Sequence, residues 1–231
     1  MTVIPRLLAF ALIMVAVTAC SDNEAEQRKA FITFLQTRII DRPGVRIPKV
    51  SDEDAKALGP YVTHFNVIKG FTNDPVLTAT AERMHSGLPN LTSIQSVIDN
   101  RDKLRKTKGE LGELLNTMNE KYASTLKERE ALKQPDDLKA VYDKAFDKTV
   151  TLPANAFREA VPLAQNIIDA AANVGDYVAG HPDTVKISGG QLQPTNARAQ
   201  SELAALVNAL TAQGAKFNEA QRKVRAAISG N

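Results

Sequence analysis

The sequence has no tryptophan, one cysteine and three histidines in 231 residues, and aromatic side chains make up only 5% of it. A single cysteine excludes a disulfide framework within the chain. His64, His85 and His181 stand far apart, none at the three- or four-residue spacing of helical metal ligands. With no second thiol, no zinc constellation is visible, and no metal or cofactor is expected. Few aromatics leave little with which to stack nucleobases. An excess of one charge is missing too: 29 basic residues face 26 acidic ones, so composition makes no electrostatic case for nucleic acid. Nucleophile-elbow, Walker A and dinucleotide fingerprints are absent. "SGG" at 188–190 reads as a turn, because a phosphate cradle needs a helix opening directly behind it. No catalytic residue is assigned, and the chain is expected not to be an enzyme.

Long apolar runs are lacking as well, with one exception. Leu7 to Val17 is almost unbroken aliphatic and aromatic sequence behind a single cation, Arg6. That is the layout of a secretory leader. The uncharged span from Leu7 to Ala19 is shorter than the ~20 apolar residues a helical membrane crossing needs. It ends on Val17-Thr18-Ala19-Cys20, and the next residues, Ser21, Asp22, Asn23 and Glu24, belong in water. The tetrapeptide resembles the lipobox of bacterial lipoproteins. The resemblance implies cleavage between Ala19 and Cys20, diacylglycerol on the Cys20 thiol and acylation of the freed amine. Two or more acyl chains make a durable tether where one is marginal. The organisation expected is a leader at 1–19, a lipidated N-terminus and first helix at 20–40, and at 41–231 the remainder of a single helical-bundle domain.

Beyond Cys20 the chain is rich in helix formers and poor in β-branched runs. A helix is expected from Asp22 to about Ile40, burying Phe31, Phe34, Leu35 and Ile39. Pro43, Gly44 and Pro48 end it. Ser51 and Asp54 have the spacing of a capping box for a short helix. Residues 61–85 read as helical with a break near Gly70–Pro75. The longest periodic stretch, about Leu91 to Leu132, places Leu104, Leu111, Leu115, Met118 and Tyr122 on a seam shared with Arg101, Lys108, Thr125 and Arg129. Packing on the chain's own neighbours is preferred to intermolecular coiling, with a kink possible at Gly109 or Gly112.

A further helix is expected from "KQPDDLKAVYDKAF", with Pro135 in its first turn and Asp136 and Asp137 complementing its dipole. Thr151–Pro153 reads as a break before a helix to Gly180, in which Pro162 marks a bend or the true start. Val185 and Ile187 meeting Leu192 across Gly189-Gly190 read as a β-hairpin. Thr195 or Asn196 caps a final helix running through Gly214. The fold class is therefore all-α: an antiparallel bundle of long amphipathic helices with one small hairpin near 184–194.

Two segments compete for functional meaning. The basic run Arg101, Lys103, Arg105, Lys106 and Lys108 could meet anionic headgroups, but interspersed acids favour a solvated helix face. In "NVGDYVAG", Gly175 could allow a close helix approach while Asp176 and Tyr177 line a groove, and packing is the preferred reading. His64 reads as a core or boundary histidine.

The stretches "EQRKAFITFLQ", "ALKQPDDLKAVYDKAFDKTVTLPANAF" and "NVGDYVAG" with its Gly-Gly hairpin resemble the YiaF-like family, a domain-of-unknown-function group of proteobacterial envelope lipoproteins. The resemblance spans nearly the whole chain after Cys20, more loosely over 41–110. It implies an envelope address and a helical fold, and it carries over Cys20 alone as a functional residue. In the enterobacterial lipoproteins that the N-terminus resembles, Asp directly after the lipidated Cys favours inner-membrane retention. Ser21 in that place implies the outer membrane, inner leaflet, facing the periplasm. The expected role is membrane attachment through the lipid and binding or scaffolding of an envelope protein partner. The alternatives are a module holding a lipid or peptide between helices and, more distantly, a hydrolase whose titratable groups converge from separate helices.

Overall fold

The computed structural model describes residues 23–86 and 93–229. Cys20, Ala19 and Ser21, and with them the leader, lipid-attachment and sorting expectations, lie outside the described residues.

Helix α1 runs from residue 23 to 35 and closes in a wide π turn, Gln36–Ile40. Asp41 ends it, its amide donating to Gln36 O and its carboxylate accepting from Gln36 Nε2 at 2.6 Å. Gly44, at φ +67°, turns the chain away against the backbone of Ile228 and Ser229, where a Cβ would lie 2.6 Å from the Ile228 carbonyl oxygen. Helix α2 spans Asp52–Leu58 and opens with the expected capping box: Ser51 Oγ accepts from the Asp54 amide at 3.0 Å, and Asp54 Oδ2 accepts from the Ser51 amide at 3.1 Å. A single 3₁₀ turn then leads into α3, Val62–Thr72, and α4, Pro75–Ser86. The break between these two falls at Asn73-Asp74, and Asp74 Oδ1 caps the Val76 amide at 3.0 Å.

The long periodic stretch is two helices. Short α5, Ile94–Asp99, meets α6, Arg101–Glu130, at Asn100. Neither Gly109 nor Gly112 interrupts α6, which at 1.5 Å per residue is about 45 Å long. Helix α7, Asp136–Phe146, takes Pro135 as its N-cap residue and not in its first turn, because Pro135 is extended (ψ 153°). The expected break at Thr151–Pro153 is absent. A second π turn, Asp147–Thr151, carries the chain straight into α8, Leu152–Gly180. Pro153 is the second residue of α8, where the π turn gives way to α geometry. Pro162 lies inside the helix and does not start it. The hairpin pairs β1, Val185–Ser188, with β2, Gln191–Pro194, in the register Ile187 opposite Leu192. Gly189 and Gly190 both adopt positive φ, as a two-residue type I′ turn demands. Of the two caps considered, Asn196 serves, its Oδ1 accepting from the Ala199 amide at 2.8 Å. Helix α9, Ala197–Ser229, continues unbroken through Gly214.

Side-chain contacts fix how these pieces lie. Arg129 meets Asp143, Arg158 meets Asn119, Lys108 meets Asp169, and Arg101 meets Asp176. Each step down α6 matches a step up α7 and α8, so α6 runs antiparallel to the continuous α7–α8 rod. Helix α9 returns along α8, with Phe217 and Ala220 joining Ile168 and Leu111 in a central core. At the end where α6 stops, α1, α3 and α7 pack around Phe31, Phe65, Phe71, Tyr142 and Phe146, all fully buried. At the other end the hairpin sits on Val178, Ala199 and Leu203 through Val185. The structure is an all-α bundle with one small hairpin.

Candidate functional site

The polar members of the α6 seam bear directly on the two segments that competed for function. Arg101 reaches Asp176 at 3.5 Å, Arg105 also pairs with Asp176, and Lys108 donates to Asp169 at 2.6 Å. Lys106 lies 3.8 Å from Glu110 on its own helix. Most of the basic run is therefore matched by acids on α8 and on α6 itself, which leaves little unbalanced cation to present to a membrane. Thr125, which shares the seam, is buried with its hydroxyl donating to the Lys121 carbonyl at 2.9 Å. Apolar seam residues Leu104, Leu111 and Met118 are fully buried inside the chain's own core.

The same contacts account for "NVGDYVAG". Gly175 faces Arg101, and a Cβ there would stand 3.0 Å from two of its side-chain carbons and 3.3 Å from Val97 Cγ1. The glycine lets the arginine stem cross α8 so that its guanidinium reaches Asp176. Tyr177 donates to Glu202 Oε2 at 2.9 Å and stacks on the His181 ring at 4.2 Å. Hydrogen bonds from Arg198 and then Tyr177 hold the Glu202 carboxyl below the ordinary range. This segment binds α8 to α6 and α9, and it is a packing device.

The other end of the rod holds the main aromatic cluster. Phe31 stacks on Tyr61 at 5.7 Å, and His64 meets both, and Tyr142, edge-on. Nδ1 of His64 lies 3.1 Å from Gln134 Nε2. Since that amide nitrogen can only donate, Nδ1 accepts and the ring carries its proton on Nε2. Burial holds the His64 pKa below its ordinary value, so the neutral ring is favoured. Tyr142 donates to the His64 carbonyl at 2.9 Å, and Tyr61 donates to Glu24 on α1. Burial, reinforced by Glu24, pushes the Tyr61 phenol up to about 12. His64 is thus the boundary histidine that the sequence suggested. Asp136 and Asp137 stand in the first turn of α7, and Asp137 pairs with Arg28 of α1 at 3.6 Å. Among the described residues, no three His, Cys, Asp or Glu side chains come close enough to hold a metal ion.

Two features escaped the sequence. Lys148, on the second π turn, donates to the carbonyls of Ile39 and Ile40 at 3.0 and 2.9 Å and also to that of Arg42. It is a cationic cap on the C-terminal end of α1, delivered from over a hundred residues away. The second is an apolar cleft of about 300 Å³ where α3, α4, α8 and the end of α9 meet, lined by Val45, Leu77, Pro153, Phe157 and Ile228 among others. No local period marks it, because its walls come from five separate segments.

The class defined by this geometry is a helical bundle with a hairpin at one end, whose charged seam serves its own packing. A family model described as "Protein of unknown function (DUF3053)" matches residues 7–225. The proteins named "Uncharacterized protein YiaF" from Escherichia coli K12, Escherichia coli O157:H7 and Shigella flexneri are each 34% identical over 220 residues, covering 92% of this chain and 91% of the relative. The chain belongs to this YiaF-like family of unknown function. No solved structure matches it.

Proposed function

We propose that the chain is a lipid-anchored, non-enzymatic binding or scaffold protein of the cell envelope, held at the inner leaflet of the outer membrane and facing the periplasm. The observation that carries the reading is Val17-Thr18-Ala19-Cys20, set between an apolar run and a charged one. Geometry adds a consequence. Helix α1 is already formed at residue 23 and is fastened by Glu24, Arg28 and Phe31. Three residues of leash from Cys20 span at most about 10 Å, so a lipid on that cysteine holds the aromatic end near the bilayer and aims the hairpin away from it. No helix among the described residues is long and apolar enough to cross a membrane, so a span in the body does not compete with the tether.

The test is Cys20→Ser in the full chain, followed through membrane fractionation and intact mass. The expected outcome is loss of the acyl mass, with accumulation of uncleaved precursor or of soluble protein. A variant that still fractionates as a processed, detergent-requiring species contradicts the anchor. Ser21 is tested by separating inner from outer membranes on a density gradient: recovery with outer-membrane markers is expected, and Ser21→Asp should redirect the protein inward.

A further inference from the structure

We infer that the pocket between the end of α6 and α7 binds a phosphoethanolamine headgroup of the bilayer, its phosphate on Arg129 and Lys139 and its ammonium on Glu130. That the headgroup comes from a bilayer rests on the proposed tether; the charges that recognise it do not.

The pocket has a volume of about 370 Å³, with Arg129, Glu130, Lys139 and Asp143 among its lining residues. Arg129 donates from Nε and Nη2 to one oxygen of Asp143, at 3.2 and 2.7 Å, and Lys139 donates to the other at 2.6 Å. Two cations thus share one carboxylate, and each keeps N–H groups that Asp143 does not use. The Arg129 guanidinium is held in place, lying 4.6 Å over the Phe146 ring. Gln134, on the same wall, is held by its 3.1 Å contact with His64 Nδ1. Donors fixed in advance around a cavity favour a phosphate.

Glu130 narrows the choice. It lines the same pocket, is exposed, and has no ion pair or hydrogen bond among the described residues. Toward inorganic phosphate its carboxylate only repels. A ligand with an ammonium a few bonds from its phosphate turns that repulsion into an ion pair. A choline nitrogen has no N–H to donate and a glycerol headgroup has no cation, so the pocket separates ethanolamine from both. Leu126 and Leu132, half-buried on the wall, offer carbon to the lipid's glycerol and first methylenes.

The pocket lies at the end of the molecule where α1 begins. Gln134 touches His64, His64 meets the Tyr61 ring edge-on at 5.2 Å, and Tyr61 donates to Glu24, four residues after Cys20. The short leash to Cys20 therefore brings headgroups to this end.

The experiment is native mass spectrometry of the full chain, purified from its membranes in detergent and offered dioleoyl phosphatidylethanolamine, phosphatidylglycerol and phosphatidylcholine in equal amounts. Phosphatidylethanolamine adducts should exceed the other two severalfold. Glu130→Gln should erase the preference over phosphatidylglycerol, and Lys139→Gln should lower adducts of both lipids severalfold. Both positions are exposed, and circular dichroism should show unchanged helical content. Soluble glycerophosphoethanolamine should compete only far above the lipid's concentration, because it lacks the contacts to Leu126 and Leu132. Intact mass in the same spectra reads acylation of Cys20, so tether and pocket fail by separate signals. Equal adducts from the three lipids, an unchanged preference in Glu130→Gln, or competition by the soluble headgroup at the lipid's own concentration would each overturn the assignment.

Discussion

The two ends of the antiparallel pair formed by α6 and the α7–α8 rod are built on different principles. Where α1 begins, the core gathers Phe31, Phe65, Phe71, Tyr142 and Phe146, each fully buried, with His64 and Tyr61 set among them. Where the hairpin sits, the buried set is Val178, Val185, Ala199 and Leu203. Large aromatic rings bury far more surface than these aliphatic side chains and add directional ring contacts. The aromatic end is also cross-braced over long sequence distances by Lys148 and Tyr142, while the hairpin rests on the bundle through Val185 and, among the described residues, a single Tyr177–Glu202 hydrogen bond ties α8 to α9 at that end. The stronger end is the one from which the chain leads back toward Cys20. A body fixed firmly there can transmit the orientation of a tether to its far end.

The largest effect expected from breaking this contrast is at Phe146. Phe146→Ala should cost about 3–5 kcal/mol through lost burial and the cavity left behind. Leu203→Ala at the other end should cost about 2 kcal/mol, since the thin layer around it can collapse into the space. Denaturant midpoints of the two variants compare them; equal losses would erase the difference between the ends.

Next in size is Lys148→Met, which keeps the stem and removes the ammonium. Three carbonyls at the end of α1 lose their donor, at a cost of about 1–3 kcal/mol. Protease sensitivity should rise at Arg38 and Arg42, on either side of the freed turn. Unchanged cleavage there would show that the lysine is a bystander.

Gly175→Val sharpens the account of the hairpin end. A β-branched side chain must displace the Arg101 stem, at about 1–3 kcal/mol. If the clash is with that stem, Arg101→Ala should restore part of the loss, and a double-mutant cycle reads the coupling. Additive losses would place the strain elsewhere.

The smallest expected effect is the pH dependence of the aromatic end. The folded-state pKa of His64 is depressed below its ordinary value near 6.5, so the unfolded chain binds its proton more readily. The stabilisation is present above about pH 6.5 and is lost as pH falls toward the lowered folded value. His64→Gln should flatten that part of the stability–pH curve, as followed by thermal melts between pH 7 and 5. An unchanged slope would remove His64 as its source.

Much of this architecture was legible in the residues. The capping box at Ser51 and Asp54, the Gly-Gly hairpin, the buried stripe of α1 and the passage of α9 through Gly214 rest on local chemistry, and the structure has them. The expected break at Thr151–Pro153 failed because proline and threonine signals could not reveal a π turn, which absorbs a phase mismatch without leaving the helical path. The seam from Leu104 to Tyr122 was visible, but Asn100 divides the stretch that contains it. For the candidate site, Gly175 and Asp176 could be singled out from sequence, while their partners Arg101 and Arg105 lie some seventy residues away. Lys148 and the cleft beside Val45 and Ile228 leave no local trace, because each is assembled from distant segments.

The central proposal is that a lipid on Cys20 would hold the aromatic end toward the bilayer and the hairpin away from it. If Cys20 carries the lipid, a cysteine introduced at Lys133, in the loop between α6 and α7, or at Ile187, at the hairpin, is the only free thiol. Each variant is labelled with a donor dye in the full chain and placed in bilayers whose headgroups carry the acceptor. The account predicts strong energy transfer from position 133 and weak transfer from position 187, which the length of α6 carries about 45 Å further out. Equal transfer from the two positions, or stronger transfer from 187, would contradict it.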